Sequence, residues 1–184
     1  MKQTAYITVF CVIVLVQWVV PGNMIWQEEN TIRHGKAYKF RTEPIDPNDP
    51  FRGKYIVLNF EVNSFQVNCP DWTGIEEVYV YIEEDAEGFA RATHVSPKLL
   101  ESDQDYVIAN VWSCYHGELR FGFPFTTYYM EETKAYKAEL AVGQAQRDTS
   151  GRTCYALVYI RGERAVLHDV LIDDVSVREY VEEH

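Results

Sequence analysis

Two kinds of hydrophobic pattern divide the chain. From Ala5 to Val20, fourteen of sixteen residues are apolar, broken only by Thr8 and Gln17, and no charge occurs between Gln3 and Gln27. A run without a polar face predicts a helix surrounded by apolar material on all sides. Residues 5–26 as a helix extend about 33 Å, which matches a hydrocarbon core of about 30 Å. Trp18 and Trp26 bracket the outer end, where amphipathic rings favour the headgroup layer. The competing reading is a cleaved signal peptide, with Lys2 as a thin basic region and Val20-Pro21-Gly22 near the cut. Pro21 sits awkwardly in such a site, and the apolar character continues through Met24-Ile25-Trp26, so a retained anchor is preferred.

Beyond the anchor, residues 27–35 read as a helical extension that stops at Gly35. From residue 36 to 184 the period switches to two, the signature of half-buried strands. Tyr38 and Phe40 alternate with Lys39 and Arg41 over Lys36–Thr42, and Ile56, Leu58, Phe60 and Val62 share one face of Lys54–Val62. Further strands are expected over Ile75–Glu84, Phe89–Val95, Tyr106–Trp112, Leu119–Phe125, Thr153–Ile160 and Ala165–Ile172. The sequences Asp85–Gly88 and Arg161–Arg164 are hairpin turns. Glu43–Arg52 holds three prolines and must be extended or turning. One internal helix is expected over Met130–Ala141, rich in Glu, Lys, Ala and Leu. The expected fold is a β-dominated α+β protein: an N-terminal transmembrane helix, then a single mostly antiparallel β domain with one internal helix.

Charge and cysteine content narrow the function classes. The net charge is −11, and Lys2 is the only charge before Glu28, so the remainder carries −12. An acidic domain without a basic stripe is a poor nucleic-acid binder, since phosphate contacts need clustered Lys and Arg. The short tail with Lys2 favours an N-inside orientation with the domain outside the cytoplasm. Arg33, Lys36, Lys39 and Arg41 on the other side oppose that orientation. Cys11 lies in the anchor, while Cys69, Cys114 and Cys154 permit at most one disulfide within the domain and leave one thiol over.

The stretch Pro44–Phe60 (PIDPNDPFRGKYIVLNF) resembles the motif of the GDYXXLXY family of bacterial membrane-anchored proteins. Gly53, Tyr55 and Leu58 take the named positions, Phe60 replaces the last Tyr, and Lys54 replaces the Asp with reversed charge. Glu132, Ala135 and Glu139 fall at the spacing of the family's helix pattern, with Thr133 where Gly is usual. The resemblance covers nearly the whole chain. It implies a membrane-anchored architecture, an unknown biochemical role and a multi-pass membrane protein as candidate partner.

Several residues offer chemistry. Asp46-Pro47-Asn48-Asp49-Pro50 clusters oxygen ligands that a Ca²⁺ ion accepts, although prolines and Asx turns explain the cluster unaided. Arg52 can clamp a carboxylate or phosphate bidentately, or pair with a glutamate of its own domain. Gly53 either adopts a φ that other residues resist or admits a close backbone approach. Glu132 and Glu139 share one helix face, two turns apart, and either bind a metal or perform acid–base chemistry, or hold the helix to the sheet through Arg52 or its neighbours. Cys114, His116 and Glu118, with His94, have the residue types of a zinc site, against the plainer reading of ordinary polar and buried positions. Ser96 and Lys98 flank Pro97 in what reads as a loop rather than a Ser/Lys pair. No Gly-rich phosphate loop, GxSxG elbow or HExxH motif occurs. The expectation is a non-enzymatic envelope binding domain that uses no cofactor. It contacts the bilayer through residues 5–26 and binds through Arg52, Gly53, Tyr55, Glu132 and Glu139. The alternative is a hydrolase or metal-dependent enzyme built on the Arg/Glu or Cys/His/Glu groups.

Overall fold

The computed structural model describes residues 2–43, 55–147 and 153–183. Helix α1 (Lys2–His34) leads without a break into strand β1 (Lys36–Glu43). The remaining elements are β2 (Tyr55–Val57), β3 (Asn59–Phe60), β4 (Ser64–Gln66), β5 (Glu77–Glu84), β6 (Ala90–Ser96), β7 (Tyr106–Tyr115), β8 (Glu118–Gly122), β9 (Thr127–Tyr129), α2 (Glu132–Arg147), β10 (Cys154–Arg161), β11 (Arg164–Ile172), β12 (Val175–Ser176) and α3 (Val177–Glu183). They form one β domain of two five-stranded sheets, ordered β12-β11-β10-β1-β3 and β4-β8-β7-β5-β6, and a two-stranded ribbon β2-β9. Every pairing between these strands is antiparallel.

The period-two pattern produces a shared core. Tyr38, Phe40 and Thr42 are buried from β1, and Val78, Val80 and Ile82 from β5. Phe40 meets Phe60, Phe123 and Phe125 edge-on at centroid distances of 5.2–5.7 Å. Aromatic quadrupoles favour that tilt, which adds to the burial term. Tyr81 is buried on the opposite face of β5, where its hydroxyl accepts the Leu100 backbone N–H at 2.7 Å. The segment after β6 therefore covers what a two-sided reading of β5 leaves to solvent.

Two expected strands differ in detail. Lys54–Val62 is not continuous: β2 pairs with β9 and β3 pairs with β1, and between them the Leu58 N–H donates to the Thr126 carbonyl at 2.7 Å. Ile56, Leu58 and Phe60 are all buried, so the alternation survives while the pairing partner changes. The expected Leu119–Phe125 strand ends at Gly122, and Phe123 and Phe125 fill the core from outside any strand. Cys69, in a 3-10 turn over Cys69–Trp72, is disulfide-bonded to Cys114 of β7, and Cys154 is the buried free thiol.

Where the transmembrane helix is expected, the structure has the helix α1. Among the described residues no helix is long and apolar enough to cross a membrane. The side chains described without interruption begin at Ile13, and Gln27, Glu28, Glu29 and Asn30 close the apolar run from there. Within that run every residue from Leu15 to Trp26 is exposed, the large apolar side chains by 58–72%.

Candidate functional site

Of the motif residues, Tyr55 lies in the ribbon β2-β9. Tyr55 opens β2 opposite Tyr129 of β9, and Ile56 lies opposite Tyr128. Helix α2 contacts β2 and starts at Glu132, three residues after Tyr129, with Glu139 two turns further along. The backbone thus brings Tyr55 and Glu132 to one locality. Arg52, Gly53 and the Asp46–Pro50 cluster lie outside the described residues, as do the side chains of Tyr55, Glu132 and Glu139. The expected Arg52–glutamate pairing therefore falls outside them too. Leu58 and Phe60 of the motif are core residues, so those positions serve packing.

The described side chains here hold helices to the sheet. The Tyr128 hydroxyl donates to Asp169 Oδ1 at 2.6 Å, and the Arg178 guanidinium stands 5.2 Å over its ring. Burial, then the Asp169 hydrogen bond, push the Tyr128 phenol well above its usual range. Lys134 of α2 pairs with Glu131 at 3.8 Å and with Glu182 of α3, which raises the ammonium and lowers the Glu182 carboxyl.

A second cluster, unread in the sequence, seals the seam between the sheets. Lys39 and Arg41 share one face of β1. The Lys39 ammonium lies 4.8 Å from the Tyr155 ring centroid and 3.3 Å from Asp174, and the Arg41 guanidinium lies 4.0 Å over the Phe89 ring and pairs with Glu87. Phe89 and Tyr155 meet edge-on at 5.8 Å, and Lys39 bridges Phe89 along the backbone. The Tyr155 hydroxyl donates to Asp174 at 2.5 Å and holds that carboxyl low, with Lys39 adding to the effect. Asp173 and Asp174 reach this position in left-handed backbone (φ 51° and 65°), which Asp tolerates better than most residues. Each cation here already has a carboxylate and a ring.

A third locality joins α1 to the β domain. The helix packs on β10 and β11. The Gly35 N–H donates to the Thr31 carbonyl at 2.7 Å, and a Cβ at Gly35 would lie 2.5 Å from that oxygen and 2.8 Å from the Ile160 carbonyl oxygen. Only glycine admits so close an approach of two backbones. Thr31 is buried, its hydroxyl donating to Gln27 O at 2.9 Å. Beside this contact lies a cleft of about 290 Å³ lined by Gln27, Asn30, Thr31, Arg161, Glu163 and Arg164.

Several described carboxyls are held low and several phenols are held high. Asp85, held low mainly by the Phe89 backbone N–H, joins Asp174, Glu118 and Glu182 below the usual carboxylate range. Burial raises the Tyr38, Tyr155 and Cys154 groups. The alternative zinc reading of Cys114, His116 and Glu118 loses its thiolate: Cys114 is oxidised, and His116 sits in a left-handed turn at φ 51°. Among the described residues no group of three His, Cys, Asp or Glu side chains is placed to hold a metal. Ser96 turns inward on its own loop, its hydroxyl donating to the Lys98 carbonyl at 2.6 Å, which removes the Ser/Lys pair.

A family model described as GDYXXLXY protein matches residues 17–169. The chain belongs to the GDYXXLXY family. Curated proteins and solved structures give no match. The GDYXXLXY match spans the helix junction, the ribbon, α2 and most of the β10–β11 hairpin, and it stops short of Asp173, Asp174, Arg178 and Glu182.

Proposed function

We propose that the chain is a single-pass, membrane-anchored accessory domain of a bacterial envelope, non-enzymatic, which binds a membrane-protein partner. One observation carries the anchor reading: α1 is apolar and exposed around its whole circumference from Leu15 to Trp26, yet its C-terminal turns are locked to the domain at Gly35. A partner helix covers one stripe, whereas lipid covers every face. The Cys69–Cys114 disulfide supports placing the domain on the extracytoplasmic side, because structural disulfides persist in oxidising compartments. The partner-binding positions are Arg52, Gly53, Tyr55, Glu132 and Glu139. The exposed Tyr129 facing Tyr55 supports this assignment, since tyrosine is enriched at interfaces.

Alkaline carbonate extraction of membranes tests the anchor. The full-length chain is expected to stay in the pellet with its N-terminus intact. A soluble form beginning near Gly22 would identify a cleaved leader and remove the anchor. Affinity capture from detergent extracts then tests the partner: a multi-pass membrane protein is expected to co-purify with the wild type and to be lost with Arg52→Ala.

A further inference from the structure

We infer that the cleft between α1 and the β10–β11 turn is a binding site for the phosphodiester of an anionic phospholipid, an inference that rests on the anchor reading above. Arg161 and Arg164 are paired directly opposite each other across the hairpin. Like charges in that register repel, and neither guanidinium has a carboxylate partner among the described residues. Elsewhere in this acidic chain the cations near the junction are matched, Arg33 with Glu29 at 3.4 Å and Lys36 with Glu84 at 3.9 Å. The turn therefore keeps two forks free where stability alone favours one charge of each sign. Glu163 lines the same cleft, so two guanidiniums and one carboxylate leave one net positive charge, which a phosphodiester monoanion neutralises.

Depth selects a lipid as the ligand. The helical lining residues Gln27, Asn30 and Thr31 follow Trp26 by one to five positions, about 1.5–7.5 Å along the axis. The headgroup layer on each side of a bilayer is about 5–7 Å thick. With Trp26 at the interface, the cleft sits among the phosphates. The buried Thr31 and the Gly35–Ile160 backbone contact hold the turn at that level. Each guanidinium offers planar, bidentate recognition of phosphate oxygens, and the Gln27 and Asn30 amides flank the same space.

The test uses the full-length protein in phosphatidylcholine vesicles with and without phosphatidylglycerol, followed by measurement of the lipid retained after mild detergent extraction. Wild type is expected to enter both vesicle types and to retain phosphatidylglycerol preferentially. In R161Q/R164Q that preference is expected to fall about thirty-fold, two arginines at roughly 1 kcal/mol each. R161K/R164K, which keeps the charge without the fork, is expected to retain an intermediate preference. Equal preference in wild type and R161Q/R164Q, with both in the vesicles, would overturn the cleft assignment and leave the anchor standing. Displacement of the lipid by millimolar inorganic phosphate would overturn the lipid in favour of a soluble anion. Failure to enter either vesicle would overturn the anchor and this inference with it.

Discussion

Removing the Cys69–Cys114 bond is expected to cost the domain several kcal/mol. The bond ties the 3-10 turn after β4 to β7 across a sequence separation of 45. Closing a loop of that length in the unfolded chain is worth about 4 kcal/mol by the chain-entropy relation, within the 2–5 kcal/mol seen when native bonds are removed. No residue of the turn is fully buried, and Trp72 packs against the core from its edge. For a domain of this size each kcal/mol moves Tm by about 2–4 °C, so Cys69→Ala/Cys114→Ala is expected to melt about 8–16 °C lower than wild type. Thermal unfolding followed by circular dichroism, with and without reductant, reads the effect. Reductant is expected to lower the wild type to the level of the double variant and to leave that variant unmoved. Non-reducing peptide mapping supplies the control by linking the Cys69 and Cys114 peptides. Free thiols at both positions in protein isolated without reductant, or an unchanged Tm in the variant, would refute the reasoning.

Gly35→Ala forces a Cβ against two backbone oxygens at 2.5 and 2.8 Å and is expected to cost about 1–3 kcal/mol, the range for overpacking. Calorimetry in detergent checks this, and an unchanged Tm would mean that the helix is not seated on β10. Phe40→Ala empties the centre of the aromatic cluster and is expected to cost about 3–5 kcal/mol in urea unfolding. Stability is expected to fall at both extremes of pH. Asp85, Asp174, Glu118 and Glu182 have lowered folded-state pKa values, so their contribution is present above about pH 4 and lost as pH drops through those values. Tyr38, Tyr128 and Tyr155 are raised, so theirs is present below about pH 10 and lost as pH climbs toward the folded values. A Tm that did not fall below about pH 4 or above about pH 10 would contradict this assignment.

Much of the fold was legible because alternation survives local disorder in pairing. Ile56, Leu58 and Phe60 are buried as the pattern requires, yet nothing in Lys54–Val62 announces that β2 and β3 pair with different partners. The signal for that switch lies in the short β9, three residues with no strand-length pattern of their own. Helix α3 was missed for a similar reason. Val177 and Val181 are its buried residues, a four-residue spacing too brief to stand out against the preceding strand. The odd cysteine count foretold one disulfide at most but not which pair, since pairing depends on where the 3-10 turn meets β7. The seam cluster was illegible because Lys39, Arg41, Phe89, Tyr155 and Asp174 come from distant segments. Each residue alone reads as ordinary surface. The Asp173-Asp174 turn gave a weak cue, as two Asp residues between apolar runs tolerate left-handed backbone.

The depth of Trp18 and Trp26 in a bilayer tests the central claim most directly. These residues are eight positions apart on α1, about 12 Å along the helix axis. Variants of the full-length protein carrying one or the other as the sole tryptophan, with Trp72 and Trp112 replaced by Phe, are incorporated into vesicles whose lipids are brominated at graded acyl positions. Trp18 is expected to be quenched most by bromines deep in the chains and Trp26 by those nearest the headgroup. Equal, weak quenching of both at every depth would contradict the anchor and place α1 outside the hydrocarbon.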